Sequence, residues 1–306
     1  MEHSLSLQTT PGRQKGIRQS LLCALASFSL GLPLAAHAAD VLPGAYTPLP
    51  AGTDLVQVFY TYTERNQQVA QGNPLPINAR FDSGIAQLRY MRFLDLGGYV
   101  ISPNILVPFG KQVAKNDSAA LGSAGGVSDT VLSATIWLRN DAAAKSYIGI
   151  TPFLVLPTGD YDPNQALNPG ENRWKFILQG GLNTPVADKV HFDLIGDVTV
   201  YGDNDRYGRA NATLKQDLSY QLQTHLRYKF SPTTEVSLGA SQVWGGETQV
   251  NGVKKNNTLK TTKLIIGGAF FLRASTQLAG TYSQDVAVDN GFKESNRFLL
   301  RVTQTF

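Results

Sequence analysis

Residues able to carry nucleophilic or metal chemistry are scarce in this chain. Its 306 residues include four histidines and one cysteine, and His3, Cys23 and His37 all fall within the first 38 positions. Those positions read as a secretory leader. Arg13, Lys15 and Arg18 make a positive head, Leu21 to Leu34 an apolar run, and Ala36-His37-Ala38 a small-residue cleavage site. Cys23 follows Leu21-Leu22 without the small residues a lipoprotein site needs, so no lipidation is expected. Beyond residue 38 only His191 and His225 remain, and no thiol. A Ser-His hydrolase needs its histidine beside a nucleophile and an orienting acid or amide. His225 lies between Gln223 and Arg227 with no nucleophile motif nearby, so no enzyme is expected and both histidines read as polar lining. Asp160, Asp162, Asn164 and Glu171 match positions one, three, five and twelve of an EF-hand loop. However, Gln165 stands where glycine is required and Pro163 stiffens the turn. A loop of Asx turns is therefore expected, with no metal and no cofactor.

The elements that position these residues follow from composition and periodicity. Only 16% of residues are charged, against roughly a quarter in soluble domains. The net charge is +4 with basic residues scattered singly, which excludes a nucleic-acid binder. After the leader the longest apolar run, Leu264 to Leu272, contains two glycines and is about half the length of a membrane-spanning helix. That leaves a secreted all-β protein or an outer-membrane barrel.

Period-two alternation selects the barrel. From Leu218 to Phe230, Leu218, Tyr220, Leu222, Leu226, Tyr228 and Phe230 fall on one face, and Ser219, Gln221, Gln223, His225, Arg227 and Lys229 on the other. Val190 to Tyr201 repeats the pattern, with His191, Asp193 and Asp197 on its polar face. About twelve such segments of about ten residues fit tilted strands crossing a bilayer. Their connections alternate between short and long, the long ones near residues 65–80, 109–128, 159–171, 202–216, 245–258 and 286–294. The fold expected is all-β, a transmembrane antiparallel β-barrel with short periplasmic turns, longer extracellular loops and one barrel domain over residues 39–306. The last strand, with Phe298, Leu300, Val302 and Phe306, resembles the assembly signal of bacterial outer-membrane barrels, although Gln304 stands where an apolar residue is usual.

Strand parity then assigns a lumen. Inward-facing bases are expected to be Arg89, Arg139, Lys175, Arg227, Lys229, Lys263, Arg297 and Arg301, and inward acids Asp193, Asp197, Glu235 and Asp285, with His191 and His225 beside them. Eight bases against four acids would favour anions or carboxylated solutes. Small barrels also fill their interiors with side chains, so these charges could instead pair and plug it. Outward Tyr60, Tyr62, Tyr90, Trp174, Tyr220, Tyr228 and Trp244 read as interface girdle residues.

Leu156-Pro157-Thr158-Gly159-Asp160-Tyr161-Asp162 followed by Gly170-Glu171-Asn172-Arg173-Trp174 resembles a known family. So do residues 197–204 (DVTVYGDN), Gly245-Gly246-Glu247 with Asn251-Gly252, and Pro108-Phe109-Gly110-Lys111. Together they are similar to the outer-membrane channels named for the meta-pathway of phenol degradation, over essentially the whole chain past the leader. The resemblance implies a monomeric twelve-stranded barrel in a Gram-negative outer membrane that takes up small molecules such as aromatic compounds. It implies no catalytic residues. In the loop motif Asp160, Asp162, Asn172, Arg173 and Trp174, Arg173 is expected to pair with a loop carboxylate and fix the loop at the barrel mouth.

The function expected is passive uptake of small molecules, aromatic or carboxylated, with a weak anion bias. The partners expected are solutes, outer-membrane lipid and lipopolysaccharide. The alternatives are sideways release of hydrophobic compounds through the wall, near positions such as Pro152, and a plugged barrel with a structural or interaction role. The purified polypeptide without its leader should require detergent and give a β-type circular dichroism spectrum. Solubility without detergent, or a helical spectrum, would contradict the alternation argument.

Overall fold

The computed structural model describes residues 40–306; the leader expected at residues 1–38 lies outside the described residues. Twelve long strands run up and down in sequence order. They are β1 (Asp54–Ala70), β2 (Ala79–Arg92), β3 (Tyr99–Asn116), β4 (Val131–Asp141), β5 (Ser146–Val155) and β6 (Lys175–Ala187), then β7 (Val190–Tyr201), β8 (Ser219–Ser231), β9 (Thr234–Gly245), β10 (Leu259–Arg273), β11 (Thr276–Val288) and β12 (Gly291–Thr305). Each pairs antiparallel with the next, and β12 returns to β1 from Leu55↔Thr305 to Val69↔Gly291, closing the barrel.

The faces are those of a protein in lipid. On β8, Gln221, Gln223, His225 and Arg227 are buried, whereas Tyr220, Leu222, Leu226 and Tyr228 are exposed. A water-soluble sheet would have the opposite polarity, so the apolar outer face is a hydrocarbon contact. Tyr220 and Trp244 sit in register on β8 and β9 with stacked rings 5.7 Å apart, as part of the outward aromatic belt.

The periplasmic turns are tight, and the extracellular connections carry structure of their own. Within residues 202–216 and 245–258 two short hairpins pair through Ala212–Gln216 and Thr248–Val250 into a four-stranded sheet. Ser123–Val127 folds back along the upper half of β3. The expected long loop at residues 286–294 is absent: β11 runs to Val288, β12 begins at Gly291, and only Asp289 and Asn290 lie between. Gly291 supplies the positive φ of +111°, and the Asp289 amide and the Asn290 side chain bond back to the Lys260 and Thr258 carbonyls. Apolar alternation fades there because these strands continue above the bilayer, where the outer face meets water.

One register shift alters the sidedness read from parity. A bulge between Trp137 and Arg139 on β4 puts Arg139 opposite Ile148, an exposed residue of the outer face. Arg139 is therefore removed from the inward set. It lies exposed near the β4–β5 turn, 3.4 Å from Asp141.

Leu226 lies near mid-height on the outer face, so Leu226→Arg should cost about 2–4 kcal/mol. Denaturant unfolding of the barrel in vesicles measures this, and a neutral result would contradict a lipid contact there.

Candidate functional site

The lumen is occupied by the chain itself. Residues 40–47, which precede β1 and show no alternation, run inside the barrel. The Asp40 carboxylate accepts from Lys263 Nζ and Gln221 Nε2, both at 2.9 Å, with Arg297 at 3.7 Å. Val41 bonds through both its amide and its carbonyl to Gln223, and its carbonyl lies 3.2 Å from His225 Nε2. The Gly44 amide donates to Asp193 at 2.9 Å. The Tyr46 hydroxyl lies 3.1 Å from both Thr151 Oγ1 and Gln179 Oε1, and Asn183 donates to the Thr47 hydroxyl.

The inward charges fall into two networks. Arg227, 3% exposed, donates to both Asp193 oxygens at 2.8 and 3.2 Å and to Glu235 at 2.9 Å. A buried guanidinium held this way has a carboxylate oxygen on each of its three nitrogens, the pairing that such burial requires. Lys263 bonds Asp40 and Glu294, and Glu294 also receives Arg65 at 2.7 Å and Arg297 at 3.4 Å. Asp285 accepts from the Glu294 amide, and Asp197 from Gln179. His191 is buried, with no partner for Nδ1. Lys229 stands opposite Glu235 in register. Arg89 and Arg301, like Lys229, have no carboxylate within 4 Å among the described residues, and the Nε of each arginine lacks a hydrogen-bond partner. Arg89 lies over the Phe59 ring at 5.4 Å, and Arg301 donates to Gln277 at 2.6 Å.

Strand parity missed Asp40, Glu294 and Arg65. Asp40 precedes the strands, Glu294 was expected in a loop, and Arg65 sits at a register shift on β1. A charge count restricted to alternating segments therefore overstates the basic surplus. Three prolines in residues 43–50 marked a stretch that could not be a wall strand, and they were the available signal for a segment with a different place.

At the extracellular mouth, residues 156–174 fold inward. The tip is tucked against the inner wall, with Leu167 1% exposed and the Asn168 carbonyl accepting from the buried Gln112 of β3. Asp129 clamps the base of the loop, accepting from the Gly159 and Glu171 amides at 2.9 Å each. Asp160 accepts from the Val127 amide, and Asp162 from Asn164 and Gln165, so these carboxylates serve local turns. Among the described residues no group of three or more His, Cys, Asp or Glu side chains could hold a metal ion. Arg173 makes two bonds to Glu171 Oε2, at 3.0 and 2.7 Å, and one to Gln216, and it lies over the Tyr201 ring at 4.7 Å. Lys175 takes the other Glu171 oxygen. Asn172 bonds Asn204, whereas Trp174 is exposed outward.

On the outer wall, Gly268 and Gly280 lie side by side on β10 and β11 and floor an apolar groove of about 790 Å³ flanked by Tyr60, Leu238, Ile266 and Phe298.

A twelve-stranded meander around a charged, self-occupied interior narrows the comparison to outer-membrane barrels. The profile of the family described as "Putative MetA-pathway of phenol degradation" matches residues 61–302, most of the chain. The chain belongs to that family. The COG4313 outer membrane channel from Pseudomonas putida F1 is 35% identical, with a TM-score of 0.85 over 87% of this chain and 100% of that one. The β-domain of the Bordetella autotransporter BrkA is 13% identical, with a TM-score of 0.51 over 82% of this chain and 99% of that one, and shares the fold alone. No relative is found among curated proteins. This member of the family is thus an outer-membrane β-barrel.

The Glu171 clamp sets a pH dependence. Burial alone opposes the charge on Glu171, but Lys175 and Arg173 beside it prevail and hold its carboxyl down at about 2, from an ordinary 4.5. The folded pKa is depressed, so the stabilisation is full above pH 4.5 and is lost as pH falls toward 2. Hydrogen exchange of residues 156–174, corrected for intrinsic rates, should accelerate over that window. In Glu171→Gln it should be fast at every pH, and an unchanged pattern would show that the clamp does not hold the loop.

Proposed function

We propose that the protein is a passive diffusion channel for small molecules, aromatic or carboxylated, with a weak preference for anions. It works as a monomer and without energy input. Family membership and the 35% identity to an outer membrane channel support transport. The family description supports an aromatic cargo.

The charge preference is carried by Arg89 and Arg301. Lys175, Arg227, Lys263 and Arg297 each answer a carboxylate, so their charges are largely spent inside the protein. Arg89 lies opposite Gln57, and Arg301 opposite Phe59, on the two strands flanking β1. Both sit toward the periplasmic end. In a narrow low-dielectric passage two uncompensated guanidiniums raise the local anion concentration, and each presents a fork suited to a carboxylate. Solutes pass the outer loops, cross the lumen and leave along this basic wall.

One observation favours a second reading, a plugged barrel serving as a structural or interaction element: residues 40–47 and the 165–170 tip both stand in the lumen. Under the channel reading at least one of them yields.

Single-channel recording in a KCl gradient separates these readings. The reversal potential should lean toward chloride, and Arg89→Gln combined with Arg301→Gln should lower the chloride-to-potassium permeability ratio by about twofold or more. A cation preference in the native protein refutes the anion bias. Absent conductance, with no solute-dependent liposome swelling, favours the plug.

A further inference from the structure

At mid-height the inner wall has a niche. The inward row across β4 to β7 reads Trp137, Gly149, Gly181 and Ile195 in cross-strand register. Two adjacent glycines leave a gap two strands wide, and the ring of Tyr46 fills it. A methyl group at Gly181 would overlap that ring, and one at Gly149 would lie 2.9 Å from its Cδ1. Trp137 and Ile195, both 3% exposed, form the two sides, and Trp137 Nε1 donates to the Tyr46 carbonyl at 2.9 Å.

The next inward row, Thr151, Gln179 and Asp197, meets the hydroxyl end. Gln179 Nε2 donates to Asp197 at 3.2 Å, which turns Gln179 Oε1 toward the phenol oxygen and makes it an aimed acceptor at 3.1 Å. Thr151 stands 3.1 Å from the same oxygen and 3.0 Å from Thr135 Oγ1. Flat apolar space for one ring, with an oriented acceptor and a hydroxyl at its far end, recognises a phenol. From Cβ outward, a tyrosine side chain is p-cresol.

We infer that this niche is a binding site for monocyclic phenols, occupied at rest by the chain's own Tyr46. The inference rests on the reading of the barrel as a channel for small aromatic solutes. Exchange of Tyr46 for a free phenol replaces like groups with like. The tether, however, gives Tyr46 an effective concentration on the order of mM, so solute binding to the native chain is weak and removing the ring should unmask it.

The test uses the full chain in detergent, with p-cresol and toluene titrated calorimetrically. Tyr46→Gly should bind p-cresol at least about tenfold more tightly than the native protein, and toluene, which lacks the hydroxyl, at least about tenfold more weakly than p-cresol. Gly181→Val added to Tyr46→Gly should abolish the gain by filling the niche, and Thr151→Val with Gln179→Leu should erase the preference over toluene. If Tyr46→Gly binds p-cresol no better than the native chain, or no better than with Gly181→Val added, the assignment is overturned. Should Tyr46→Gly fail to fold, 3-fluorotyrosine at Tyr46 in the otherwise native chain reports displacement directly, and an unmoved fluorine resonance at saturating p-cresol is equally decisive against it. Conductance measured on the same preparations separates the two readings. A chain that conducts without binding p-cresol sinks the niche alone, and one that binds it without conducting sinks the channel alone.

Discussion

Hydrocarbon offers a peptide group no hydrogen-bond partner, and the rest of the molecule answers to that constraint. Each strand must be bonded along both edges, so the sheet must close, and β12 meets β1 over nearly their full lengths. Closure divides every strand into a face toward lipid and a face toward an enclosed interior. The interior then needs contents, because twelve strands surround more space than their own inward side chains fill. Here the contents come from the two places where the chain is free of the wall: the stretch before β1 and the loop between β5 and β6.

The same constraint explains how much was legible in advance. Lipid-facing alternation is a one-dimensional signal, and β7 and β8 display it residue by residue, so strand number, closure and sidedness were readable. Where strands leave the bilayer the signal ends, and the turn at Asp289-Asn290 looked like a long loop for that reason. Arg139 was misassigned because a bulge leaves no trace in alternation. The site was less legible than the wall. Asp193, Arg227 and Lys263 were found from parity, but their relation to residues 40–47 depends on contacts more than a hundred residues apart in sequence. The Tyr46 niche turns on two glycines that become neighbours only through strand register.

Burial of charge shapes the interior as much as closure shapes the wall. Arg227, Lys263 and Lys175 are almost fully removed from solvent, and each is matched by at least one carboxylate from outside its own strand. Losing one partner would leave an unpaired buried ion, at a cost of roughly 3–5 kcal/mol. These networks therefore hold the inserted segment and the mouth loop in register with the wall, and the guanidiniums of Arg89 and Arg301, which have no carboxylate within 4 Å among the described residues, stand out against them.

The outer hairpins differ from the mouth loop in how far they are tied to the barrel. Residues 156–174 are held by Asp129, Glu171 and Gln112, and Gly159 and Gly170 approach so closely that a methyl group on either would strike the other. The hairpin tip at residues 208–211 touches none of these, and Gly208 and Asn211 there already adopt the left-handed backbone of an open turn. A reporter peptide or affinity handle displayed on the cell surface therefore belongs at 208–211, where chain length can grow without disturbing the occupied lumen, and not in the longer connection between β5 and β6.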